Sequence, residues 1–70
     1  MPSEHKMDRL YILSKDLDEG EGLITFCVKS DLVKIDVYID TQLLCSFDTD
    51  IRSARKHWRS WRYAGWERSR

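Results

Sequence analysis

Covalent and rigid local constraints are scarce in this chain, which has two cysteines, one proline and three glycines among its 70 residues. Cys27 and Cys45 are too few for a disulfide framework. Their spacing, with His5 and His57 far apart, matches no zinc pattern. The expectation is two reduced thiols packed as small hydrophobes, with no metal and no cofactor. No apolar run approaches the ~18 residues a membrane span needs, and nothing near Met1 resembles a signal peptide. The cytosol is therefore the expected compartment.

Catalytic signatures are missing as well. There is no Gly-rich phosphate loop, no nucleophile elbow, no His-Glu-x-x-His helix and no pair of carboxylates in an evident cleft. The acidic stretch from Asp16 to Gly22 fails as a calcium loop because Glu21 stands where that loop requires glycine. A chain this short buries only about 60% of its unfolded surface, which leaves little room for a water-excluding pocket. The chain is expected not to be an enzyme.

What is present is the composition of one folded domain, residues 1–70, with 41% hydrophobic residues and aromatics spread along the chain. Residues 1–7 read as a frayed start. Four strands follow at about 9–15, 23–29, 32–39 and 43–47, and a helix at about 50–64. The clearest period-2 signal is Val33, Ile35, Val37 and Ile39 alternating with Lys34, Asp36, Tyr38 and Asp40. Short connections require antiparallel pairing, since parallel strands need long crossovers. The expected fold is α+β, a four-stranded antiparallel meander with one C-terminal helix packed on one face.

Burial selects a register for the third and fourth strands. A three-residue loop, Asp40-Thr41-Gln42, would pair Ile39 with Leu43, Val37 with Cys45 and Ile35 with Phe47, and a one-residue slip would exchange the faces. The expected core is Ile24, Phe26, Val28, Val33, Ile35, Val37, Leu43, Phe47, Ala54, Trp58 and Trp61. The outer face of the sheet then carries acids, with Asp31, Asp36 and Asp40 prominent.

Net charge is zero, but it is unevenly distributed. Residues 1–51 hold five Lys/Arg against eleven Asp/Glu, and residues 52–70 hold seven against Glu67 alone. One of Asp48, Thr49 and Asp50 caps the helix. Ile51, Ala54, Trp58 and Trp61 form its apolar stripe at helical spacing. Arg62, Arg55, Arg59, Arg52 and Lys56 fill the adjoining side, and Ser53, Ser60, Ala64 and His57 cover the rest. Gly65 is the expected left-handed residue of a Schellman stop, with Trp66 and Trp61 as its hydrophobic pair.

The basic helix is the candidate working surface. The partner-binding set is Arg52, Arg55, Lys56, Arg59 and Arg62, with Tyr63 and Trp66 as anchors. Arg, Trp and Tyr are enriched at interface hot spots, and an arginine row suits an acidic protein. The reading is a binding or regulatory module for a larger acidic protein. Two alternatives remain: an RNA or DNA binder using the same row along phosphates, and a structural homodimer in which one basic helix meets another copy's acidic sheet.

Two resemblances accompany these readings. The run Ser53-Ala54-Arg55, then Trp58, then Gly65-Trp66, resembles the helical ending of several small uncharacterised cyanobacterial proteins. It covers the last quarter of the chain and implies no activity. Leu43-Leu44-Cys45-Ser46-Phe47-Asp48-Thr49 resembles the strand-to-helix junction of plant-type AP2 DNA-binding domains. That family reads DNA with Arg and Trp on its sheet; with Asp31, Asp36 and Asp40 on the sheet here, its DNA contacts do not carry over.

Overall fold

The computed structural model describes residues 9–69; the expected frayed start at 1–7 lies outside them. Among the described residues five strands and one helix follow in order: β1 (Arg9–Leu17), β2 (Gly20–Val28), β3 (Leu32–Ile39), β4 (Gln42–Asp50), α1 (Ile51–Tyr63) and β5 (Glu67–Ser69). All neighbours pair antiparallel in the spatial order β4-β3-β2-β1-β5. The meander with one helix on a face is thus present, and a fifth strand extends it. After the helix the chain returns along the free side of β1, pairing Ile12 with Ser69 and Ser14 with Glu67.

Alternation decides the faces. Leu13, Ile24, Phe26, Val33 and Ile35 point to the helix side and are buried with Ala54, while Tyr11, Val28, Val37, Trp58, Trp61 and Trp66 pack partly buried around them. The rings meet edge to face, Phe26 on Trp58 at 5.2 Å and on Trp61 at 5.7 Å, and Tyr11 on Trp58 at 6.1 Å. Such geometry sets the positive ring edge against the negative face. The opposite face has no covering element among the described residues. It carries Leu10, Ile12, Leu23, Thr25, Asp36 and Tyr38, so it is mixed rather than purely acidic. Asp36 meets the Ser46 hydroxyl there. Asp31 and Asp40 sit in turns instead.

Several boundaries differ from the sequence expectation. β1 runs on to Leu17 and β2 starts at Gly20, so the expected acidic loop shrinks to Asp18-Glu19. Leu17 faces inward, where its side chain lies beside Gly22. β4 extends to Asp50 and enters the helix directly.

The expected Asp40-Thr41-Gln42 loop is corrected. Ile39 pairs with Gln42 across a two-residue turn in which Asp40 (φ 51°) and Thr41 (φ 69°) are both left-handed. Two left-handed centres match the twist of the flanking strands. A bulge at Leu44 restores the expected pairs Val37–Cys45 and Ile35–Phe47. Leu43 therefore faces Tyr38 on the outer side, 51% exposed, and leaves the expected core; Phe47 points inward but stays 37% exposed at the sheet edge. Cys45, expected to be packed, is exposed, and it lies on the opposite face from Cys27, so the two thiols cannot pair within one chain.

Candidate basic groove and helix face

The helix owes its direction to its two ends. Asp50 is the N-cap residue in an extended conformation. Its carboxylate faces Ser53, which holds it below the ordinary aspartate value of 3.8, although the contact falls short of a full cap hydrogen bond. At the other end the expected Schellman stop forms: Trp66 N–H donates to the Trp61 carbonyl at 3.0 Å and Gly65 N–H to Arg62 at 3.1 Å, with Gly65 at φ 104°. Lys15 Nζ donates to the Ala64 carbonyl at 2.9 Å, so a β1 cation satisfies a helix-end acceptor. Trp66 is then laid over Gly22, where a β-carbon would lie only 2.5 Å from its ring.

These anchors run α1 diagonally across the sheet. It starts where β4 ends, beside the Leu32 end of β3, and stops by Lys15 and Gly22 at the opposite end of β1 and β2. A diagonal rod leaves two corners of the inner face open. One corner, at the start of β1, is a groove of about 400 Å³ floored by Tyr11, Phe26, Val28 and Trp58. Arg9, Arg55 and Arg68 line its rim. Arg68 lies over the Tyr11 ring at 5.8 Å, a cation–π distance.

The predicted site residues fall into three groups. Arg52, Arg55, Lys56, Arg59 and Arg62 are all exposed on the helix. Among the described residues, the side-chain hydrogen bonds involve Lys15, Asp36, Asp40, Thr41 and Ser46 and none of these five cations. Tyr63 stands 97% exposed on the last turn. Trp66 is set apart: half-buried against Gly22, it belongs to the scaffold. Arg9 and Arg68 escaped sequence reading because β1 and β5 deliver them. Only the pairing of Leu13 with Arg68 places that arginine on the helix side.

Among the described residues no buried side chain is polar or charged, and no group of three His, Cys, Asp or Glu could hold a metal. No helix among them is long and apolar enough to cross a membrane. Comparison with known proteins found no matching family, no matching curated protein and no matching solved structure.

Proposed function

We propose that this chain is a non-enzymatic, cytosolic binding or regulatory module that docks an acidic protein surface through Arg52, Arg55, Lys56, Arg59 and Arg62. The observation that carries the reading is the exposure of all five cations on one helix, with no internal acceptor among the described residues. Cations held together against mutual repulsion without internal partners favour an external anion. Arg55 also belongs to the groove rim with Arg9 and Arg68, above an apolar floor. An apolar centre with a charged rim is the composition of a protein interface rather than of a phosphate track. Tyr63 is the exposed aromatic anchor.

One observation keeps nucleic acid as a second reading. Asp36 and Asp48 lie on the sheet face opposite the helix and do not oppose a polyanion approaching the row; only Asp31 and Asp50 stand near its start, beside Arg52 and Arg55. Salt dependence separates the two. Neutralising five phosphates gives a log–log affinity slope of about −4, whereas an interface with an apolar centre responds more weakly. The deciding experiment is recovery of partners from the native host with the parent chain and with Arg55→Glu/Arg59→Glu, each with and without nuclease. Proteins retained after nuclease and lost with the double reversal support the first reading. Loss of all recovery on nuclease treatment supports the second, and equal recovery by both chains excludes the basic row.

A further inference from the structure

We infer that β4 is the seam of a two-fold dimer, pairing antiparallel with β4 of a second copy of this chain. β4 forms the sheet edge along nine residues, and the backbone groups turned away from β3 have no partner among the described residues. Sheets blunt such edges with charged side chains, above all lysine, and with proline, bulges or short strands. β4 is long and has no lysine or proline; its only charges, Asp48 and Asp50, sit at its C-terminal end and its one bulge, at Leu44, lies near the turn, which leaves Cys45, Ser46 and Phe47 as an uncharged, regular edge. Apolar exposure gathers at the same edge. Leu43, Leu44 and Phe47 are large exposed hydrophobics on β4, with Leu32 and Ile51 alongside.

The helix supplies the second half of the seam. Its diagonal leaves Phe47 and Cys45 open although both point to the helix side of the sheet. His57 meets Phe47 edge to face at 5.7 Å and stacks on Trp61 at 5.6 Å, which fixes the helix flank turned toward β4. At 100° per residue, Ser53, Ser60 and Ala64 share that flank with His57, and all five cations lie off it. A two-fold through β4 turns this flank of each helix toward the seam, the first turn, which starts where β4 ends, standing nearest to it. Phe47 and Cys45 of both chains are then enclosed in the cleft between the helices.

Charge sets the orientation. Parallel pairing would align the acidic ends of the two strands, whereas antiparallel pairing sends them apart. A two-fold at Ser46 sets Phe47 against the second copy's Cys45 and Asp50 against its Gln42. It also carries the second copy's Asp40 toward the start of α1, near Arg52. The other homodimer considered from sequence, basic helix on acidic sheet face, is head to tail; it does not close and leaves β4 bare. The β4 seam is isologous and keeps the basic row free, so it stands whatever that row binds.

Sedimentation equilibrium on the full chain tests the seam. The expected mass is twice 8.4 kDa. Cys45→Arg, which sets two cations beside the two-fold at Ser46, and Leu44→Lys, which charges the edge, each weaken dimerisation by at least about tenfold. Arg59→Glu, on the far side of the helix, leaves the mass unchanged. Circular dichroism confirms that each variant is folded; should Leu44→Lys not fold, Cys45→Arg decides alone. A parent mass of 8.4 kDa up to about 0.1 mM, a dimer indifferent to both substitutions, or a monomer produced by Arg59→Glu overturns the inference.

Discussion

At the scale of single residues, Gly22 and Trp66 show how little space this small core holds. A β-carbon on Gly22 would meet the Trp66 ring at 2.5 Å and Leu17 at 2.9 Å, so the indole must move to admit it. Gly22→Ala is expected to destabilise the fold by about 1–3 kcal/mol, the usual cost of overpacking, with a shift in tryptophan emission during urea unfolding. Leu13 is fully buried on the central inner face. Leu13→Ala is expected to lose about 2–5 kcal/mol, a large part of the stability of so small a domain, measured by the same unfolding curves. Asp50 adds a pH signature. Ser53 favours its charged form in the folded state, so its contribution is complete above 3.8 and disappears as pH falls through the lower folded-state value. Carboxyl titration by NMR should give Asp50 a midpoint below 3.8, and Asp50→Asn should flatten the stability profile in that acid range.

At the scale of elements, the β3–β4 turn is the strained place. Thr41 is β-branched and left-handed, a conformation costing roughly 1–2 kcal/mol for most L-residues. Thr41→Gly should stabilise the protein by up to about 1 kcal/mol, part of the relief being offset by the freer unfolded glycine. Asp40→Gly should not help, because Asp40 Oδ1 accepts a 2.9 Å hydrogen bond from Glu21 N–H. The same turn shows where the sequence stops being decisive. Pairing of Val37 with Cys45 and Ile35 with Phe47 follows from apolar alternation, which any register must respect. The place of the extra residue does not follow: Leu43, Leu44 and Cys45 are all apolar, so a longer loop and a bulge satisfy the pattern equally. The helix stop was legible because it is local chemistry, a glycine followed by tryptophan at fixed offsets. β5 was not, because Glu67-Arg68-Ser69 has no strand pattern and pairs only once α1 has delivered it to β1. Hence the helix part of the groove rim could be read from the chain, and the arginines arriving from β1 and β5 could not.

At the scale of the whole molecule, a net charge of zero conceals segregation. The helix presents cations on one side of the sheet, while Asp36 and Asp48 occupy the other side. Had the basic row served to clamp the helix to its own sheet, the two sets would lie within reach of each other. Instead the sheet stands between Asp36 or Asp48 and the row; only Asp31 and Asp50 come near it, in one recess with Arg52 and Arg55, and the helix is fastened by Trp58, Trp61 and the Lys15–Ala64 bond. The proposal is therefore separable from the fold: the arginines are expected to contribute to binding and very little to stability. Urea unfolding of the parent chain and of Arg55→Glu/Arg59→Glu at neutral pH tests it most directly. The expected result is two curves differing by less than about 0.5 kcal/mol, as for surface substitutions remote from caps and core. Loss of the cooperative transition, or destabilisation by more than about 2 kcal/mol, would show the arginines clamping the helix and would contradict their role as an external docking row.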